Sequence, residues 1–101
     1  MKPPPSGGEE QRRPLTREVE VVNKQGIHAR PAALFVKTAA KFESEVGIEK
    51  EGEVVNGKSI IGLLMLAAGQ GTKLTLTAQG RDAEKALAEL AKLFAEKFNE
   101  D

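Results

Sequence analysis

Apolar and polar residues alternate in four short stretches of the chain, as expected of strands with one buried face. The first is EVEVVN, in which Val19 and Val21 alternate with Glu18 and Glu20. The segment EVGIEKEGEVVNG predicts a hairpin that turns at Gly52. The fourth stretch, TKLTLTAQG, sets two leucines against two threonines. The residues predicted to point inward from the hairpin are Val46, Ile48 and Val54.

Three other stretches repeat apolar residues at helical spacing. The first helix is predicted from about residue 29 to about residue 42, and the last begins after Asp82 as its N-cap. Between them, KSIIGLLMLAA fits either a buried strand or a short helix by period, and its Leu, Met and Ala favour the helix. The inner faces of the first and last helices are predicted to hold Ala32, Phe35, Val36, Ala39, Phe42, Ala83, Ala86, Leu87, Leu90 and Phe94.

The predicted order of elements is therefore β-α-β-β-α-β-α. Four alternating strands imply an antiparallel sheet with one face open to solvent, and three amphipathic helices bury the other face. The predicted fold class is α/β (α+β), a two-layer sandwich. Residues 16–101 form one domain, whereas residues 1–15 are rich in proline and charge and are predicted to be a disordered arm. An extension with its own partner is the alternative for that arm.

Composition restricts the partners and the location. Fifteen basic and fifteen acidic side chains give a net charge of zero, so no overall field attracts nucleic acid or anionic lipid. The chain has no cysteine, which fits a reducing compartment and excludes a thiol nucleophile. The longest apolar run, IIGLLMLAA, is too short to cross a bilayer, and the N-terminus lacks the apolar region of a secretory signal. We therefore expect a cytoplasmic protein with no membrane insertion.

The stretch NKQGIHARPAALF contains the single histidine, His28. Because the first N–H groups of a helix have no intrahelical partner, Pro31 fits the first turn and His28 lies at or next to the N-cap. Free amides and the helix dipole favour an anion there, and Arg30 adds a guanidinium suited to phosphate oxygens. This combination indicates a nucleophilic nitrogen next to a phosphoryl site. A solvated surface histidine is the alternative, and a metal site lacks further ligands.

A short helix over KSIIGLLMLAA cannot bury all of its apolar residues. If Leu63 and Leu66 point inward, the others form an exposed cluster of the kind that marks an interaction surface. A buried strand, or a helix covered by the N-terminal arm, is the alternative. Ser59 precedes the helix as a potential N-cap. The residues predicted to dock a partner are Ile60, Ile61, Leu64 and Met65.

Two segments resemble a known family. GIHARPAALFV resembles the active-site segment of HPr, the histidine-containing phosphocarrier of the bacterial phosphoenolpyruvate-dependent phosphotransferase system, and VNGKSIIGLLMLAAGQGTKLTLTAQG resembles that family's second signature. The resemblance implies an open-faced β-sandwich with three helices on one side of four antiparallel strands. It also implies phosphorylation of His28 on Nδ1, with Arg30 and the backbone amides of Ala29 and Arg30 holding the phosphoryl group, and regulatory phosphorylation of Ser59.

The same resemblance implies a relay and its partners. Enzyme I donates the phosphoryl group, enzyme IIA domains receive it, and HPr kinase/phosphorylase modifies the serine. The carrier is expected to be a monomer that needs no cofactor or metal and is not itself an enzyme, in sugar uptake or in carbon or nitrogen regulation. Because His28 and Arg30 are both present, the chain differs from HPr-like regulatory proteins that have lost the histidine.

Two other classes of protein share this order of elements. RNA-binding sheets need exposed aromatic residues, but the chain has no Trp or Tyr and its four Phe fall in helical segments, so no nucleic acid partner is expected. A regulatory domain that binds an effector or a partner without carrier activity remains the alternative function. It gives no reason for His28, Arg30 and Pro31 to stand together.

Overall fold

The fold comes from a computed structural model that describes residues 13–100. Residues 1–12 of the predicted arm lie outside that part of the chain. The elements are β1 (Leu15–Glu20), α1 (Ala29–Ala39), β2 (Glu45–Lys50), β3 (Glu53–Asn56), α2 (Ile60–Met65), β4 (Lys73–Gln79), α3 (Ala83–Ala95) and a short final turn (Lys97–Asn99). The predicted order β-α-β-β-α-β-α is confirmed, as is the helical form of α2.

The four strands make one antiparallel sheet in the order β1-β4-β2-β3. β4 lies between β1 and β2, so the strand that is last in sequence joins the first strand to the hairpin. Helix α3 packs over β1 and β4, and α1 contacts both other helices. The predicted α/β two-layer sandwich is confirmed. Between the layers lies a core whose largest fully buried side chains include Phe35, Ile48, Leu63, Leu74, Leu76 and Leu90.

The hairpin turn sets which residues of β3 face the core. Glu51 and Gly52 both have positive φ, 52° and 88°, as a tight two-residue hairpin turn requires. This turn pairs Ile48 with Val55, and directly opposed residues share a face of the sheet. The prediction that Val54 points inward is therefore wrong: Val54 is 60% exposed, and Val55 packs against the core instead.

Element boundaries differ by a few residues from those predicted. The first strand was predicted over EVEVVN, but β1 begins earlier, at Leu15, and ends at Glu20. Val21 is buried as predicted for that stretch, but it lies just after the strand. Helix α1 ends at Ala39, after which tighter turns of the backbone still bury Phe42. The predicted inner face of α3 is confirmed by the burial of its five residues. Asp82 does occupy the N-cap position of α3, but its side chain does not cap that helix.

Candidate functional site

The loop before α1 is fixed by a close backbone contact. The Ile27 N–H donates to the Ala68 carbonyl at 2.9 Å, and the Gly26 N–H donates to the Asn23 carbonyl at 3.2 Å. Gly26 has a φ of 73°, and a Cβ built on it would lie 2.5 Å from the Ala68 oxygen. Both the positive φ and the close approach to Ala68 therefore require glycine at residue 26. The hydrogen bond between Ile27 and Ala68 holds the loop against the segment that follows α2.

His28 is the N-cap residue of α1, as predicted. Its backbone is extended, with φ −89° and ψ −165°, and its carbonyl accepts the first helical hydrogen bond, from the Ala32 N–H at 3.0 Å. The imidazole makes no capping bond to its own helix. Within residues 13–100, the amides of Ala29 and Arg30 have no hydrogen-bond acceptor. These free donors at the positive end of α1 suit an oxyanion.

The imidazole instead meets a carboxylate from the end of the chain. His28 Nε2 lies 2.9 Å from Glu100 Oε2, and the side chains are 36% and 17% exposed. A carboxylate accepts hydrogen bonds but cannot donate them, so Nε2 carries the proton in this contact. In the neutral ring Nδ1 then keeps its lone pair. The contact therefore leaves Nδ1 as the ring nitrogen with a free lone pair.

Asn23 fixes the other side of that carboxylate. Its amide nitrogen donates to the Gly26 carbonyl at 2.8 Å and to Glu100 Oε1 at 3.1 Å. The Asn23 side chain is buried, at 1% exposure, and both of its partners only accept hydrogen bonds. Its oxygen Oδ1 is buried with no hydrogen-bond partner within the described chain. Asn23 thus ties the loop before α1 to the C-terminal turn.

Arg30 and Lys24 supply positive charge at the mouth of the site. Both are exposed, and none of the carboxylates in residues 13–100 forms an ion pair with either. An open cavity of about 700 Å³ leads to the histidine. Its lining residues are Lys24, Gln25, His28, Ala29, Arg30, Asn99 and Glu100. The predicted group of His28, Arg30 and the two amides is thus brought together in one solvent-accessible site.

Ser59 and the exposed cluster lie on α2. The Ser59 hydroxyl accepts a hydrogen bond from the Gly62 N–H at 3.0 Å, so its predicted capping role is confirmed. Leu63 and Leu66 are buried, as expected. We call the four remaining apolar residues the α2 patch: Ile60, Ile61, Leu64 and Met65, exposed by 41%, 70%, 40% and 70%.

Sequence reasoning did not find Asn23 or Glu100. Asn23 follows two valines at the end of a strand-like stretch, where asparagine is an ordinary turn residue. Glu100 lies 72 positions from His28 in a polar terminal segment that resembles a fraying helix end. Spacing carries no information about a contact at that separation, so the one available signal was the apolar side chain of Phe98, two residues before Glu100, which favours burial of this segment.

Among residues 13–100, no three His, Cys, Asp or Glu side chains converge as metal ligands. Over the same residues, no helix is both long enough and apolar enough to span a bilayer.

Comparisons with known proteins show the family of this chain. The family model described as "PTS HPr component phosphorylation site" matches residues 15–96. The HPr-like protein Crh of Bacillus subtilis is 53% identical over 77 residues, which cover 76% of this chain and 91% of that protein. The phosphocarrier protein HPr of Xylella fastidiosa is 44% identical over 87 residues, covering 86% and 98%.

Solved structures give the same answer for the fold. The crystal structure of HPr from Thermoanaerobacter tengcongensis superposes with a TM-score of 0.83 at 46% identity, covering 86% of this chain and 98% of that one. HPr from Bacillus anthracis superposes with a TM-score of 0.77 at 47% identity, covering 80% and 96%. The chain belongs to the HPr family of phosphotransferase-system phosphocarriers.

Proposed function

We propose that this chain carries a phosphoryl group on Nδ1 of His28, accepting it from phosphorylated enzyme I and passing it to a histidine of enzyme IIA domains. The observation that carries the proposal is the contact between His28 Nε2 and Glu100, which leaves Nδ1 unprotonated at the N-terminus of α1. Membership of the HPr family supports the same role. We propose that the protein acts in the cytoplasm, in sugar uptake or in carbon or nitrogen regulation.

The step exchanges one phosphorus bond for another. The bond between phosphorus and the donor group of enzyme I breaks while the Nδ1 lone pair forms a bond to phosphorus. Nε2 keeps its proton throughout. The amides of Ala29 and Arg30 and the Arg30 guanidinium would hold the phosphoryl oxygens, since both residues line the same cavity as the ring. Transfer onward reverses the exchange on a partner histidine, so the chain is a carrier and does not turn over a substrate by itself.

Ser59 is proposed as a regulatory site for HPr kinase/phosphorylase. A phosphate on its hydroxyl would replace the capping bond to Gly62 with charge-assisted bonds to amides at the same helix end. The added negative charge would lie directly before the α2 patch, which we propose as the surface that docks enzyme I and enzyme IIA. The relative Crh of Bacillus subtilis is described with its crystal structure as a catabolite repression protein. This description supports a regulatory role for the present chain alongside phosphotransfer.

The test of the carrier function is a phosphotransfer assay. Purified enzyme I, magnesium and labelled phosphoenolpyruvate are incubated with the wild type and with His28→Ala. We expect label on the wild type that is lost in mild acid, as for a phosphorus–nitrogen bond, and no label on the variant. If enzyme I labels its own HPr but leaves this wild type unlabelled, the carrier function is wrong and a regulatory binding domain takes its place.

A further inference from the structure

We propose that Glu100 is a positioning residue for phosphotransfer, an inference that rests on the carrier function proposed above. In this role Glu100 selects the tautomer of His28 that leaves Nδ1 free. It also balances the positive charge that the ring acquires when phosphorus bonds to Nδ1 while Nε2 keeps its proton. The carboxylate lies 2.9 Å from Nε2, within hydrogen-bond distance of the atom that carries that proton.

Asn23 determines the orientation of the Glu100 carboxylate. Both amide hydrogens of Asn23 are used, one for the Gly26 carbonyl and one for Glu100 Oε1. Because both partners are acceptors, the Asn23 amide cannot be reversed without losing both bonds. Glu100 is therefore held by a buried donor on one oxygen and by the imidazole on the other. This arrangement is the histidine–carboxylate pair of serine proteases with the two ring nitrogens exchanged, and in those enzymes the carboxylate fixes the tautomer and stabilises the charged ring.

The C-terminal turn holds Glu100 at this position. Lys97, Phe98 and Asn99 have φ values of 57°, 53° and 62°, a left-handed conformation that costs non-glycine residues about 1–2 kcal/mol each. Such conformations persist where the surroundings impose them. Here Phe98 is buried at 3% exposure and packs edge to face on Phe94, with ring centres 4.8 Å apart. The buried ring anchors a turn that directs Glu100 back to the histidine.

Two substitutions of Glu100 separate this role from simple packing. In Glu100→Gln, the Asn23 donor requires an acceptor, so the new amide oxygen faces Asn23 and its NH₂ group faces Nε2. That donor favours the ring with Nδ1 protonated, which is the wrong tautomer for attack. Glu100→Ala removes the contact without imposing a tautomer. We expect roughly hundredfold slower acceptance from enzyme I for Glu100→Gln and only about tenfold slower acceptance for Glu100→Ala.

Ring ¹⁵N spectra of His28 at a pH where the imidazole is neutral provide a readout independent of enzyme I. We expect a protonated Nε2 in the wild type, a mixture of tautomers in Glu100→Ala and mainly protonated Nδ1 in Glu100→Gln. The matched control is Glu96→Gln, because Glu96 is an exposed glutamate just before the same turn and its carboxylate lies 3.9 Å from the Lys92 ammonium, away from His28. This control is expected to keep the wild-type rate and the wild-type spectrum.

The possible outcomes separate the two proposals. If the wild type accepts label and both Glu100 variants keep its rate and tautomer, the role of Glu100 is wrong while the carrier function stands. A loss of rate that is equal in Glu96→Gln, or greater in Glu100→Ala than in Glu100→Gln, also overturns the positioning role. A wild type that accepts no label overturns the carrier function itself, and the role of Glu100 in transfer with it.

Discussion

Asp82 links the start of β2 to the start of α3. Its carboxylate accepts hydrogen bonds from the Glu43 and Ser44 amides, each at 3.0 Å, and from the hydroxyl of the buried Ser44. The Ser44 hydroxyl bond and the two amide bonds lower the pKa of Asp82 below its ordinary value of 3.8, against a desolvation effect that raises it. Asp82 thus replaces a local helix cap with a tertiary connection between two elements.

We predict that Asp82→Asn lowers the free energy of unfolding by about 2 kcal/mol at pH 7, since it weakens hydrogen bonds to a charged acceptor. Because the folded pKa is lowered, the wild-type advantage is present above the unfolded value of 3.8 and is lost as pH falls through the folded value. Urea unfolding at pH 7 and near pH 3 measures both effects.

The matched control is Glu84→Gln, because Glu84 is an exposed acid in the first turn of the same helix. Its effect on unfolding is expected to stay within about 0.5 kcal/mol at physiological salt. An Asp82→Asn penalty of the same size at both pH values would contradict a role for the carboxylate charge.

At the scale of elements, the position of the loop before α1 depends on its contact with the segment after α2. Gly26 is the close-approach residue, and the hydrogen bond from the Ile27 N–H to the Ala68 carbonyl is the backbone bond next to it. Lys50 supports the same segment, since its ammonium donates to the Leu66 carbonyl at 2.9 Å. The position of His28 is therefore set partly by elements far from it in sequence.

We predict that Gly26→Ala destabilises the fold by about 3 kcal/mol and reduces phosphoryl acceptance, because its Cβ collides with the Ala68 carbonyl. The control is Gly52→Ala. Gly52 also has positive φ, 88°, but a Cβ there meets nothing within 4 Å. We expect Gly52→Ala to lower the free energy of unfolding by about 1 kcal/mol, the cost of positive φ alone, and to leave phosphoryl acceptance unchanged. Urea unfolding and the labelling assay check the pair, and equal penalties would contradict the close-approach argument.

At the scale of the whole molecule, the helical layer and the open face of the sheet carry different features. The helices occupy one side of the sheet, so the α2 patch and the His28 site belong to the helical layer, while β3 shows Val54 on the open face. Monomeric behaviour remains a prediction. Two related structures, HPr of Thermoanaerobacter tengcongensis and Crh of Bacillus subtilis, have been solved as dimers.

Docking through the α2 patch is tested by Ile61→Glu and by Ser59→Asp, which keeps a capping side chain but adds charge. Both are expected to raise the KM for transfer from enzyme I by about tenfold, because they place negative charge in an apolar contact. Val54→Glu is the control. Val54 is 60% exposed, close to the 70% of Ile61, but it lies on the open sheet face. An equal effect of Val54→Glu would show that charge rather than docking is responsible.

Regular periodicity made most of the fold predictable. The alternation in TKLTLTAQG and the apolar stripe of α3 depend only on residues that are close in sequence, so both could be recognised without the fold. The structure confirms the strand and the inner face of that helix. The short strand β3 was less predictable, because two adjacent valines both fit a buried position. Only the pairing imposed by the turn at Glu51 and Gly52 decides that Val55 faces the core.

The sequence by itself determined the order of strands and helices, the place of His28 at the start of α1, and the exposure of an apolar cluster on α2. Each of these depends on residues a few positions apart, where helical or strand geometry sets the spacing. Only the tertiary structure decided the contacts of Glu100 and Asn23 with the site, the partners of Asp82 and the face occupied by Val54. These depend on chain closure and strand register, which bring together residues whose separation in sequence carries no periodic signal.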